Sequence, residues 1–231
     1  MESSEPVPVE IDTTPAGGIS GLLLQPPAAN ALLVLAHGAG AGMHHAFMGG
    51  ISRALAAAGI ATLRYQFPYM AAGRRRPDPR PLLMATVRAA VASGRELAPG
   101  VPLLAGGKSM GGRMTSQAAA EAALAGVRGL VFLGFPLHPA GRPGTERADH
   151  LAALDLPLLF LQGERDRLCD LGLLRPILER LAAPATLHVV PDADHGFHLP
   201  KRSGRSDAEV LADLARMVAA WVPQLDLAPP G

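Results

Sequence analysis

The chain has 231 residues, 48% of them hydrophobic and 18% charged, with a formal net charge of +1. That length and balance suit one α/β domain spanning 1–231, and they exclude both a disordered chain and a polycation built for nucleic acid or an anionic membrane. A single cysteine, Cys169, excludes an intramolecular disulfide and a cysteine-based zinc cluster.

The first residues, Met1-Glu2-Ser3-Ser4-Glu5-Pro6, are acidic and polar and lack the basic-then-apolar order of a signal peptide. No apolar run approaches the roughly 18 residues of a membrane span, so a soluble cytoplasmic protein is expected. Val7-Pro8-Val9-Glu10-Ile11 alternates like an edge strand, where proline is tolerated. Residues 19–24 are its expected hairpin partner, across the turn Pro15-Ala16-Gly17-Gly18. The continuous apolar run 32–36 predicts a parallel strand buried on both faces. It ends in the glycine-rich loop His37-Gly38-Ala39-Gly40-Ala41-Gly42.

Helical spacing of apolar residues follows over 45–58, stopped by Gly59, and 60–65 reads as the next strand. Beyond it lies a polar loop, Gly73-Arg74-Arg75-Arg76-Pro77-Asp78-Pro79-Arg80-Pro81. A helix over 82–97 and a strand over 101–105 come next, then a helix over 112–125 and a strand over 130–133. The remaining elements are a strand over 156–161, a helix over 171–181, a strand over 186–190 and an amphipathic helix over 207–221, with a frayed tail over 224–231. This alternation predicts a mostly parallel twisted sheet with helices on both faces. Ligands bind such sheets outside the carboxyl ends of the strands, so the chemistry belongs in the loops that follow them.

In one of those loops Gly107-Lys108-Ser109-Met110-Gly111 fits G-x-S-x-G, the pattern of a serine on a strained strand-to-helix turn. Glycine two residues before and two after the serine lets the helix pack close to the strand. A chain with 26 glycines makes an accidental match conceivable, so the motif needs structural context. A serine also needs a base and a group to orient that base. His195, after the last strand and before the last helix, is the candidate base. His198 is nearby, His44, His45 and His150 read as surface or helix-start residues, and His188 as a partly buried strand residue. Asp166, in Gly163-Glu164-Arg165-Asp166, is the candidate acid, with Glu164, Asp170 and Asp194 as weaker rivals. The order Ser109, Asp166, His195 is the Ser…Asp…His order of α/β-hydrolases. Oxyanion donors are expected from the backbone of Met110, at a helix start, and of Ala39, with Gly40 second.

Over nearly its whole length the chain resembles the α/β-hydrolase superfamily, on His37-Gly38-Ala39-Gly40, Gly107-Lys108-Ser109-Met110-Gly111-Gly112, Gly163-Glu164-Arg165-Asp166 and Asp194-His195-Gly196-Phe197. More narrowly, it resembles the dienelactone-hydrolase-like branch related to the testis-expressed and NSL-complex hydrolase-like proteins. That likeness rests on Phe67-Pro68-Tyr69-Met70 with Arg74-Arg75-Arg76-Pro77-Asp78-Pro79, on the elbow with Arg113, and on Pro136-Leu137-His138-Pro139-Ala140-Gly141. The resemblance implies the α/β-hydrolase fold and the triad Ser109, Asp166 and His195, and leaves the substrate open. Serine at the elbow departs from the dienelactone hydrolases with a cysteine nucleophile.

The segment between Leu133 and Leu156 has room for a loop but not for a lid domain, so the site should be open and suit small or accessible acyl groups. His37, Gly38, Gly40, Pro136 and His138 are expected around the substrate. Arg74, Arg75 and Arg76 read as a solvated loop, with a sharper reading in which one of them binds a substrate carboxylate or phosphate. Lys108 is expected to point to solvent or to pair with a nearby acid. No metal-ligand spacing or dinucleotide fingerprint occurs, so no cofactor is expected. The expectation is a serine hydrolase acting on a small-molecule carboxylic ester or related acyl bond, without nucleic-acid or membrane partners. The alternatives are a non-catalytic binding or scaffold module of the same fold, or an acyltransferase. The oligomeric state is left open, a homodimer included.

Overall fold

The structure, a computed structural model, describes residues 5–13 and 17–225. Among these residues eight strands form one open sheet in the order β1-β2-β4-β3-β5-β6-β7-β8. In chain order they are β1 (Val7–Asp12), β2 (Gly18–Leu24), β3 (Ala31–Ala36), β4 (Ile60–Tyr65), β5 (Leu103–Lys108), β6 (Val127–Leu133), β7 (Leu158–Gly163) and β8 (Ala185–Val190). The pairs β1–β2 and β2–β4 are antiparallel, and the pairs from β4 through β8 are parallel. Pro8 sits on the edge strand β1, where a missing N–H breaks no ladder on the open side. Residues 14–16 of the expected hairpin turn, the first four residues and tail residues 226–231 lie outside the described residues.

Among the described residues the α-helices are α1 (Ala46–Ala57), α2 (Pro68–Ala71), α3 (Arg80–Leu97), α4 (Met110–Glu121), α5 (Leu171–Leu178) and α6 (Asp207–Trp221). The strand period of two divides the core between the faces. On β3, Leu32, Val34 and Ala36 join the cluster that packs α3, α4 and α5, whereas Ala31, Leu33 and Leu35 join the one that packs α1 and α6. Ser206 starts α6 by a capping box with Glu209. Between β6 and β7 the chain forms a single 3₁₀ segment, Glu146–Ala153, packed on α4, and no lid domain. Among the described residues no helix is long and apolar enough to cross a membrane.

Several element boundaries differ from the sequence reading for local reasons. Strand β5 runs on to Lys108 instead of stopping at Ala105, because Gly106 and Gly107 pair in register with β3 and β6. Helix α4 starts at Met110, not at residue 112, and ends at Glu121, because Ala122 is extended. Helix α5 ends at Leu178 instead of 181, with Pro176 inside it removing one helical hydrogen bond. The four-residue α2 is too brief to show a helical period, and the 3₁₀ segment lies in the stretch between Leu133 and Leu156 expected as a loop.

Candidate active site

The close packing at the centre of the sheet is built from glycine. A Cβ on Gly107 would lie 2.5 Å from the Ala36 carbonyl oxygen, and one on Gly111 would lie 2.6 Å from the carbonyl oxygens of both Ala36 and His37. These are backbone atoms and cannot swing aside. Gly111→Ala is therefore expected to cost about 1–3 kcal/mol or more in urea unfolding, and to lower activity with it. Between the two glycines Ser109 takes φ 52° and ψ −117°, a strained backbone for a residue with a side chain. The strain lifts the side chain out of the ladder at the carboxyl end of β5.

The Ser109 Oγ lies 2.9 Å from His195 Nε2, and His195 Nδ1 lies 2.6 Å from Asp166 Oδ2. The Asp166 side chain is fully buried, whereas that of His195 is 27% exposed on the cavity side. Gln162 Nε2 donates to Asp166 Oδ2 at 2.6 Å, and the Leu168 N–H donates to Oδ1 at 2.8 Å. The carboxylate thus accepts from three directions, which fixes its orientation. The rival acids are engaged elsewhere. Asp194 Oδ1 accepts the N–H groups of Gly196 and His198, which shapes the turn that presents His195. Glu164 accepts the Asp192 N–H, and Asp170 caps α5 through the Gly172 N–H.

Ser109 and His195 open on a largely apolar cavity of about 470 Å³, whose lining includes Gly38, Ala39, Gly40, Phe47, Phe197 and Leu211. Met110 begins α4, so its backbone N–H is one of the donors that a helix start leaves without an intrahelical partner. The Ala39 carbonyl is held by the Tyr69 hydroxyl at 2.9 Å, which steadies the loop after β3. Burial, with Asp78 nearby, pushes the Tyr69 phenol up to about 12, so it stays a donor at neutral pH.

Three residues expected around the substrate do other work. His37 is fully buried and outside the cavity lining. Its Nε2 accepts the Phe67 N–H at 3.0 Å, so the ring proton sits on Nδ1 and is donated to the Gly38 carbonyl at 2.7 Å. Burial lowers its pKa and keeps that imidazole neutral. His138 likewise accepts the Asp170 N–H at 3.0 Å and bonds the Pro139 carbonyl at 2.9 Å. Both His138 and Pro136 are buried and stand outside the cavity that Ser109 lines. Both loops lie at the carboxyl edge, but their backbone needs claim the side chains of His37 and His138.

Arg74, Arg75 and Arg76 are exposed, as the reading of a solvated loop expects. Arg74 is paired with Asp78 at 2.6 Å, and neither it, Arg75 nor Arg76 lines the cavity. His150 is not a surface residue: it is half-buried with Nε2 2.7 Å from Ser116 Oγ. Burial and the nearby Arg113 and Arg80 push it down to about 4. That second serine–histidine contact has no acid on the other ring nitrogen among the described residues. Its serine sits within α4, bonded to the Arg113 carbonyl, outside the cavity. The sequence reading assigns no site role to Gln162 or Tyr69. A glutamine inside an otherwise apolar strand and a tyrosine beside a proline were the only signals.

The model of the family described as "Alpha/beta hydrolase domain" matches residues 29–223. Among solved structures, the chain is similar to a dienelactone hydrolase from Anabaena variabilis, at 21% identity and a TM-score of 0.75, covering 97% of this chain and 99% of that one. It is also similar to a Xanthomonas campestris structure described as an a/b serine hydrolase without lid, at 25% identity and a TM-score of 0.73, covering 97% of each chain. The esterase Est1E from Butyrivibrio proteoclasticus, solved also with ferulic acid bound, is 15% identical at a TM-score of 0.70, covering 94% of this chain and 99% of that one.

Proposed function

Because the chain belongs to the α/β-hydrolase domain family, we propose that it is a serine esterase that cleaves a carboxylic ester or related acyl bond through an acyl-enzyme on Ser109. The observation that carries this reading is the unbroken relay from Ser109 Oγ to His195 at 2.9 Å and from His195 to a buried Asp166 at 2.6 Å. In this reading His195 takes the hydroxyl proton as Ser109 attacks the acyl carbon, and Asp166 stabilises the imidazolium. His195 then gives the proton to the leaving alcohol. Water, activated by the same imidazole, releases the acid. The N–H groups of Met110 and Ala39 receive the negative charge on the tetrahedral oxygen, where each such donor contributes roughly 3–4 kcal/mol.

The lidless serine hydrolase and the esterases among the similar structures support the reaction class. The apolar, unlidded cavity supports a small or readily accessible ester over a long lipid chain. A fluorophosphonate probe tests the reading directly: the expected result is one covalent adduct, mapped to Ser109 by peptide mass. Folded protein that stays unlabelled would instead favour a non-catalytic binding module. Turnover is also expected to fall at acid pH, because an imidazolium cannot accept the serine proton. A p-nitrophenyl acetate pH–rate profile measures that limb.

A further inference from the structure

The residue before the nucleophile does not point to solvent. Lys108 is half-buried against the cavity, and its ammonium donates to the backbone carbonyl of His195 at 2.5 Å. The same nitrogen lies 5.7 Å from the ring centroid of Phe47 and 5.4 Å from that of Phe197. Those two rings stack on each other at 5.9 Å. Phe197 holds φ at 65°, a conformation that a residue with a large side chain adopts only when its surroundings impose it. Gly134, after β6, leaves room for this arrangement, since a Cβ there would lie 3.0 Å from Lys108 Nζ and 3.5 Å from His195 Cε1 and Nδ1.

We propose that Lys108 is a positioning residue, whose ammonium clamps the His195-Gly196-Phe197 turn over Ser109 and sets the electrostatic balance of the imidazole. The inference rests on the esterase reading of the site. The clamp ties the nucleophile's own strand to the loop that carries the base, so the two reacting side chains share one mechanical link besides their hydrogen bond. A peptide held at φ 65° has no local preference for that state. The hydrogen bond to the His195 carbonyl and the cation over both rings supply the preference.

The charge matters as well as the donor. The titratable groups facing Lys108 are Asp166 from the loop after β7, and Asp194 and His195 from the loop after β8. His45, His198 and Asp207 stand around the same cavity. Burial pulls the ammonium down to about 8, with Asp166 and Asp194 working in the opposite direction. A cation at this place disfavours a second positive charge on His195. Removing it should therefore make the imidazole more basic and move the acid limb of the rate profile to higher pH.

The test compares Lys108→Met, which keeps the stem and loses both donor and charge, with Lys108→Gln, which keeps a donor and loses only the charge. Both are assayed with p-nitrophenyl acetate and with the fluorophosphonate probe. Lys108→Met is expected to lose about 10–100-fold in kcat, in line with the cost of a misplaced catalytic group, with KM within about twofold. Lys108→Gln should recover most of that loss, and both should shift the acid limb upward. A residue that merely filled space would move neither the limb nor the Met-to-Gln difference. A Lys108→Met enzyme with wild-type kcat, or an acid limb unmoved in both variants, overturns the clamp. If Lys108→Met does not fold, the limb shift in Lys108→Gln decides alone. Wild-type protein that the probe does not label contradicts the esterase reading itself. A labelled wild type with unchanged variants contradicts only the role of Lys108.

Discussion

Ser109→Ala is expected to lower ester turnover by about a million-fold and to abolish fluorophosphonate labelling, with little change in the thermal unfolding midpoint. The size follows from how the site works as a unit. Without the hydroxyl no acyl-enzyme forms, and what remains is whatever stabilisation the oxyanion donors give to direct attack by water. The fold should survive because the strain at this position belongs to the backbone. The packing around it comes from Gly107 and Gly111 against Ala36 and His37, and the substitution leaves these untouched. Measuring kcat beside a circular dichroism melt separates the two effects. An alanine variant that keeps wild-type turnover would end the mechanism.

Asp166→Asn should lower kcat by about 10⁴-fold with a modest change in KM. The carboxylate accepts from His195 Nδ1 and Gln162 Nε2 on one oxygen and from the Leu168 N–H on the other. An amide has only one oxygen to offer. If it faces His195 and Gln162, its NH₂ is pressed against the Leu168 N–H. If it faces Leu168, the NH₂ meets the Gln162 donor and turns His195 to the tautomer with its proton on Nε2. That tautomer cannot take the proton of Ser109. Either way the imidazolium formed in the reaction loses its counter-charge. The loss should appear in kcat, since the carboxylate acts through the imidazole and does not line the cavity. A kcat within tenfold of wild type would show that another acid orients His195.

Gln162 shows why part of this site escaped the sequence. It lies in β7 among leucines and a phenylalanine, fully buried, and both ends of its amide are used: Oε1 accepts the Phe135 N–H at 2.8 Å and Nε2 holds Asp166. Nothing in the spacing of Leu161-Gln162-Gly163 says that the amide turns toward the acid and not away from it. His37 and His138 make the reverse point. Their positions at strand ends marked them as cavity residues, but each ring instead satisfies an N–H from a distant segment: Phe67 for His37, and Asp170 for His138. Buried backbone donors must find acceptors, and a neutral imidazole of fixed tautomer is one of the few side chains that can accept on one side and donate on the other.

The sequence by itself determined the alternation of strands and helices, the parallel sheet, the tight elbow at Ser109, and the chain order of serine, acid and histidine. These are legible because hydrophobic period and glycine placement are local properties, and because strand order confines the chemistry to one edge. Tertiary structure alone decided which of several acids reaches His195, which loop residues face the cavity, and where Lys108 points. Those outcomes depend on residues far apart in the chain competing for the same few hydrogen bonds. At the elbow the competition is visible in a single contact: Lys108, next to the nucleophile, bonds the carbonyl of a histidine on a loop after the last strand.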